Sequence, residues 1–311
     1  MGHLLKMKPV FKEMIWGGTR LKEEYGYAIP SDHTGECWAI SAHPNGDGMI
    51  VSGEFEGQTL SHVFNEHKEL FGNIKDEQFP LLVKIIDASR DLSVQVHPDD
   101  TYAKIHENSL GKTESWYVLG VKENTQMVMG HFAKSKEELI ERIENNEYDQ
   151  LLNRFPIKKG DFFYIPSGTI HAICAGSLIY EAQQSSDITY RVYDYNRKDA
   201  NGNLRQLHVK QSIDVIQVPY DSSKQSQPQV IKNVNYDEII YVKSKFFTVK
   251  KWNVKSSTTI THQEPFSLVS IIEGQGTMNE FAVKKGDHFV ACSDVNELKL
   301  DGQMEIMVTT L

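Results

Sequence analysis

A mainly β protein, built from strands that close into barrel- or sandwich-like units and broken by one helical insertion, is predicted by three observations. Short apolar or alternating runs recur along most of the 311-residue chain. Helical periodicity is confined to two stretches. A turn-like segment occurs twice, as Ile157-Lys-Lys-Gly160-Asp161-Phe162-Phe163 and as Val283-Lys-Lys-Gly286-Asp287-His288-Phe289. Gly and Asp are common turn residues, yet two copies inside strand-rich sequence point to an internal duplication.

Leu81-Leu82-Val83-Lys84-Ile85-Ile86 is a largely apolar run of the kind that lies in a sheet covered on both faces. Leu92 to His97 alternates strictly, with Leu92, Val94 and Val96 on one face and Ser93, Gln95 and His97 on the other. Pro98-Asp99-Asp100 ends that strand. Thr59 to Phe71 sets Leu60, Val63, Phe64, Leu70 and Phe71 at near-helical spacing and stops at Gly72. Ser135-Lys-Glu-Glu138 reads as a capping box opening a second helical stretch that carries Leu139, Ile140, Ile143, Leu151 and Leu152. This is the expected insertion, around 134–155, closed by Pro156.

Tyr220 to Gln229 is polar and rich in Ser and Gln, as linkers are. The expected division is therefore a metal-binding catalytic domain over 1–219 and a smaller, degenerate β domain over 230–311. The second repeat lacks the Pro-x-Gly turn and the trailing His of the first.

Hydrophobic content of 40% and charged content of 24% are ordinary for a globular chain. A formal charge of -9 argues against nonspecific nucleic-acid binding, which needs a basic face. It leaves room for an anionic substrate, because a local cluster of cations sets the potential of a cleft. Cys37, Cys174 and Cys292 are isolated, which gives neither a disulfide framework nor a cysteine zinc site. No apolar run has the length of a membrane span and no signal-peptide pattern opens the chain, so a cytoplasmic location without membrane contact is expected.

Four residues stand out as metal ligands. Gln95 and His97 project together from one strand, and His171 follows the Pro166-Ser-Gly168 turn at the start of another. Glu114 heads the apolar run Ser115-Trp116-Tyr117-Val118-Leu119, where an acid needs a reason to face inward. Two imidazoles and a carboxylate form a typical catalytic zinc set, and Gln95 would add a neutral amide oxygen. The same set also describes non-haem iron or manganese sites.

Gly160-x5-Pro166-x-Gly168-x2-His171 resembles the second metal motif of the cupin superfamily, whose fold is a double-stranded β-helix or jelly roll. The first cupin motif occurs only in altered form, with Gln95 in place of its first His and a long spacer before Glu114. That altered form, with Gly111-Lys112-Thr-Glu114 and Ser186-Asp187-Ile-Thr-Tyr190-Arg191, resembles the short bacterial form of the type I mannose-6-phosphate isomerases. Pro9 to Gly18 and Gly35 to Pro44 are similar to the same family, so the resemblance runs from about residue 9 to about residue 215. It implies a bicupin whose C-terminal copy is degenerate, one divalent ion per chain with zinc expected, and a phosphorylated hexose as substrate.

The reaction so implied exchanges mannose 6-phosphate with fructose 6-phosphate through an enediol. It asks for a base, a stabiliser of the enediolate oxygens and a phosphate anchor. The resemblance places the catalytic Arg at Arg191 and two active-site lysines at Lys84 and Lys112. Lys112, or a water at the metal, is expected to act as base, Arg191 to stabilise charge, and Lys84 to bind the phosphate. Longer members of the family carry a His before the lysine; here Gly111 stands there and cannot be a base. Glu36 and Glu181 are acidic candidates, equally well read as hydrogen-bonded structural carboxylates. Two rival functions remain on the same residues, an iron cupin dioxygenase and a non-catalytic bicupin sensor of sugar or metal.

Overall fold

A computed structural model describes residues 2–198 and 202–311. Its strands form three antiparallel sheets, and the middle one explains the long apolar run. That six-stranded sheet has the order Phe162–Ile165, Glu114–Val121, Ser177–Gln184, Leu81–Asp87, Thr34–Ile40, Val10–Gly18. Every residue of Leu81–Asp87 is buried. Val83 and Ile85 pack with Tyr180, Phe266 and Met307 on one side, whereas Ile86 packs with Trp116, Met129 and Ile173 on the other. A strand covered on both faces must be apolar at both parities. Lys84 breaks that rule on the parity of Ile86.

The five-stranded sheet has the order Tyr190–Tyr193, Val94–Val96, His171–Ile173, Gln126–His131, Leu152–Pro156. Val94 and Val96 face outward, into a cluster with Leu139, Ile143 and Leu151 of the helical insertion. Gln95 therefore faces the six-stranded sheet. The insertion is shorter than the sequence suggests. Helices span Lys136–Glu144 and Tyr148–Leu151, separated by Asn146 at φ 58°, and Leu152–Pro156 is strand. Local periodicity yields there to the open edge of Gln126–His131, which pairs Met127 with Phe155. Ser135 Oγ does accept from Glu138 N, but the Glu138 carboxylate reaches Lys134 N instead of Ser135 N. The earlier periodic stretch is likewise split, into a helix Leu60–Glu66 and a 3-10 turn Lys68–Phe71, with Gly72 at φ 66° closing it.

The third sheet contains ten strands, mostly from the C-terminal part of the chain. It wraps a core of its own around Trp252, Val269, Ile271, Phe289 and Ile306. Leu4–Lys8 pairs there with His288–Cys292, and Met49–Ile50 pairs with Leu4–Lys8. Strand pairing thus crosses the division expected between 219 and 230. The fold is mainly β, and the cleft-bearing sandwich is formed by the six- and five-stranded sheets. No helix among the described residues is long and apolar enough to cross a membrane.

Candidate metal centre and its cleft

The candidate ligand residues come from facing sheets. Alternation turns Glu114 to the same side as Trp116 and Val118, into the space between the two sheets. Across that space, Arg191, Gln95, His171 and Met129 form one cross-strand row. His97 follows Gln95 just past the strand end, held where its carbonyl accepts from Gly168 N at 2.8 Å. Gly168, at φ 82°, has no space for a side chain against Val215 O, so the turn before His171 requires glycine.

His97 Nε2 lies 3.5 Å from Glu114 Oε2 and His171 Nε2 lies 3.2 Å from Glu114 Oε1. One ligand atom from each of the three residues falls within 4.8 Å of the others. His171 Nδ1 donates to Thr169 O at 2.8 Å, which leaves the Nε2 lone pair facing Glu114. Neither ring nitrogen of His97 makes a well-formed hydrogen bond, although the nearby Ile188 backbone favours the protonated ring slightly. Both Glu114 oxygens are also without a hydrogen bond of good geometry. Buried polar atoms are nearly always satisfied. Orphans on His97 and Glu114, with His171 Nε2 turned to the same carboxylate, fit a divalent cation between the three.

Electrostatics agree. Burial drives the His171 imidazole down to about 4 and His97 well below its usual range, so both rings are neutral, the form that binds metal. Burial pushes the Glu114 carboxyl up to about 7 against the pull of Lys112, and a cation beside it reverses that penalty. Gln95 is adjacent but presents its other end. Its Nε2 is 3.4 Å from His171 Nε2, while Oε1 is 3.5 Å from Ser93 Oγ. Coordination by Gln95 requires a half-turn of the amide.

A cleft of about 280 Å³ opens beside these ligands, lined among others by Gln95, Lys84, Lys112 and Arg191. Lys112 Nζ lies 3.2 Å from Glu114 Oε2. Lys84 is buried, and its Nζ is 3.6 Å from Glu36 Oε2 and 3.4 Å from Glu181 Oε1. Burial alone would discharge this ammonium, but the two carboxylates outweigh it and hold the group charged. Glu36 also accepts from Trp38 Nε1 at 2.6 Å and Glu181 from Trp116 Nε1 at 2.8 Å. The two acids are thus ion-pair partners of Lys84, each held by an indole N–H. The Arg191 Nε is buried without a partner. Gly111 admits no side chain, since a Cβ there would meet Asp99 C and Asp100 N at 2.5 Å.

Two cleft cations escaped the sequence reading. Lys12 shares the inward parity of Met14 and Trp16 in Val10–Gly18, a signal that alternation alone contained. Arg205 sits in an irregular polar segment with no periodic signal, and it forks onto Asp194 through Nε at 2.7 Å and Nη2 at 2.5 Å.

Comparison with known proteins bears on this arrangement. Residues 4–135 match the catalytic domain of phosphomannose isomerase type I, and residues 237–311 match the cupin domain of mannose-6-phosphate isomerase. The mannose-6-phosphate isomerase ManA of Bacillus subtilis is 48% identical, over 99% of this chain and 98% of its own. The mannose-6-phosphate isomerase of Streptococcus mutans is 46% identical, over 99% and 98% respectively. A crystal structure of the Bacillus subtilis mannose 6-phosphate isomerase superposes over 100% of both chains with a TM-score of 0.97 at 41% identity. A phosphomannose isomerase of Salmonella typhimurium, at 16% identity and covering 99% of both chains, shares the fold with a TM-score of 0.80. This chain belongs to the type I mannose-6-phosphate isomerase family.

Proposed function

We propose that the chain interconverts mannose 6-phosphate and fructose 6-phosphate, passing a proton between C1 and C2 through an enediol. The observation that carries this reading is the buried His97–Glu114–His171 group, with unbonded atoms on His97 and Glu114, beside a cleft rich in cations. These three residues, with Gln95 after its amide turns, would hold one divalent ion, for which we propose zinc. When bound, such an ion opposes the negative charge that develops on the sugar oxygens at C1 and C2.

The remaining roles belong to the chain itself. Lys112 stands beside Glu114 at the ligand end of the cleft and is the group we assign to proton movement. Arg191 always carries its charge and has an unused Nε, so it stabilises the enediolate without serving as a base. Lys84 has its charge matched by Glu36 and Glu181, which leaves it a hydrogen-bond donor to substrate more than a source of net charge. We assign the chemistry to residues 1–219 and a supporting role to the β domain over 230–311. The three cysteines are free and buried, which suits a cytoplasmic setting.

A dioxygenase acting on a neutral substrate has no need of Lys12, Lys84, Lys112, Arg191 and Arg205 in one cleft. A sensor has no need of unpaired cations beside its metal. An anaerobic coupled assay with mannose 6-phosphate, before and after chelation, with elemental analysis of the purified chain, tests the reading. Turnover that persists after complete metal removal overturns it.

A further inference from the structure

The cleft lies between the two sheets of the sandwich, and its lips are their edge strands, Val10–Gly18 of the six-stranded sheet and Tyr190–Tyr193 of the five-stranded sheet. Each lip carries one cation into the cleft, Lys12 and Arg191. The other lining cations each have a carboxylate within ion-pair distance: Lys84 has Glu36 and Glu181, Lys112 has Glu114, and Arg205 has Asp194, which it shares with Arg197. No carboxylate among the described residues lies within ion-pair distance of Lys12 or Arg191. Lys12 Nζ contacts a neutral carbonyl, Asn45 O, and sits 4.9 Å from the centre of the Trp38 ring. Lys84 Nζ sits 5.1 Å from the same ring. One indole thus has two ammonium neighbours, of which one is neutralised by buried acids and the other is not. Asp187, also at the mouth, is engaged by Asn45 Nδ2 at 2.5 Å and by His43 Nε2 at 3.5 Å.

We infer that Lys12, not Lys84, supplies the lysine charge that binds the substrate phosphate, opposite Arg191 on the facing lip. This deepens the isomerase reading and rests on it. A phosphate dianion needs uncompensated positive charge, and Lys84 has none to give without exposing two buried carboxylates. Lys12 can turn from a carbonyl to a phosphoryl oxygen at little cost, because the carbonyl it leaves is at the cleft mouth, within reach of water. The metal end holds the reacting carbons, so a second charge at the lips fixes the far end of an extended sugar phosphate. Lys12 is then a specificity residue: it distinguishes the phosphorylated sugar from the free one.

The test compares wild type, Lys12→Met and Lys12→Arg in steady-state turnover of mannose 6-phosphate and in inhibition and calorimetric binding of inorganic phosphate. Loss of one charge-assisted contact is expected to raise KM and weaken phosphate binding about tenfold, with kcat changing far less. Lys12→Arg is expected to recover most of both. Metal content and thermal midpoint should match wild type in all three proteins. Wild-type KM and phosphate affinity in Lys12→Met overturn the inference, as does a fall in kcat alone. Absence of turnover by the metal-loaded wild type would instead overturn the isomerase reading, while phosphate binding by calorimetry would still report on Lys12.

Discussion

The two Lys-Lys-Gly-Asp turns are built from the same bonds. Lys158 N donates to Asp161 Oδ2 and Lys284 N to Asp287 Oδ2, each at 2.9 Å. Gly160 and Gly286 both sit at φ 93°, and their amides reach Val118 O and Ile271 O, each at 2.9 Å. The regions diverge in what their buried histidines do. In the second region His288 Nδ1 meets Ser270 Oγ at 2.9 Å and its Nε2 meets Tyr27 OH at 2.8 Å. His262 is likewise bonded at both nitrogens, to Val295 O and Ser267 Oγ. In the first region His97 has no good partner, and His171 meets Thr169 O through Nδ1 and, at 3.4 Å, the Gln95 amide through Nε2. Burial drives both His171 and His288 down to about 4, so a depressed pKa does not separate ligand from core residue. A shared carboxylate does: His97 and His171 both turn Nε2 toward Glu114, at 3.5 and 3.2 Å.

The sharpest break of this comparison is a pair of substitutions. His171→Ala is expected to abolish metal retention and lower kcat/KM by roughly a thousandfold or more, the equivalent of several kcal/mol of lost charge stabilisation. His288→Ala is expected to keep metal stoichiometry and activity at neutral pH while lowering the thermal midpoint, because Ser270 and Tyr27 lose their shared partner. Elemental analysis of both proteins decides the matter: metal loss in His288→Ala would erase the distinction. Next in size, Arg191→Ala is expected to retain metal and lose about a hundred- to a thousandfold in kcat, typical of a removed charge-stabilising donor. Metal loss there would make Arg191 part of the ligand set.

Much of this site was legible from strand parity. Parity puts Gln95 and His97 on one face, Glu114 stands out as an acid heading an apolar run, and Pro166-Ser-Gly168 marks His171. The Gln95 amide orientation was not legible, since either end fits the same strand position. Nor was the pairing of Leu4–Lys8 with His288–Cys292, because a contact spanning almost the whole chain leaves no local pattern. Lys84 interrupts an apolar strand, and its partners Glu36 and Glu181 lie on neighbouring strands whose register sequence does not set. Arg205 lacked any signal, being outside regular structure.

A smaller effect concerns pH. His288 resists protonation in the fold until about 4, whereas an unfolded imidazole takes a proton near 6.5. Below 6.5 the unfolded chain therefore binds more protons at this residue, and stability falls as pH falls toward 4. At pH 5 the loss from this one residue is about 2 kcal/mol. Urea midpoints of wild type and His288→Gln, taken at pH 7.5 and 5, should show wild type losing more by that margin. Equal losses would mean His288 is no more shielded from protons than an exposed imidazole.

The smallest predicted effect tests whether the twin turns are equivalent in energy as well as in geometry. Asp161→Ala and Asp287→Ala each remove one carboxylate acceptor from a lysine amide, worth about 1 kcal/mol in either repeat. Asp287 additionally pairs with Lys6 at 2.9 Å, a contact between the second turn and the N-terminal strand. Its removal should therefore cost slightly more, by a few tenths of a kcal/mol for a partly exposed pair. Lys6→Met should abolish that excess and leave the two aspartate substitutions equal in urea midpoint. A persistent difference in the Lys6→Met background would place the asymmetry in the turns themselves, and the duplicated hydrogen bonds would then not carry duplicated energies.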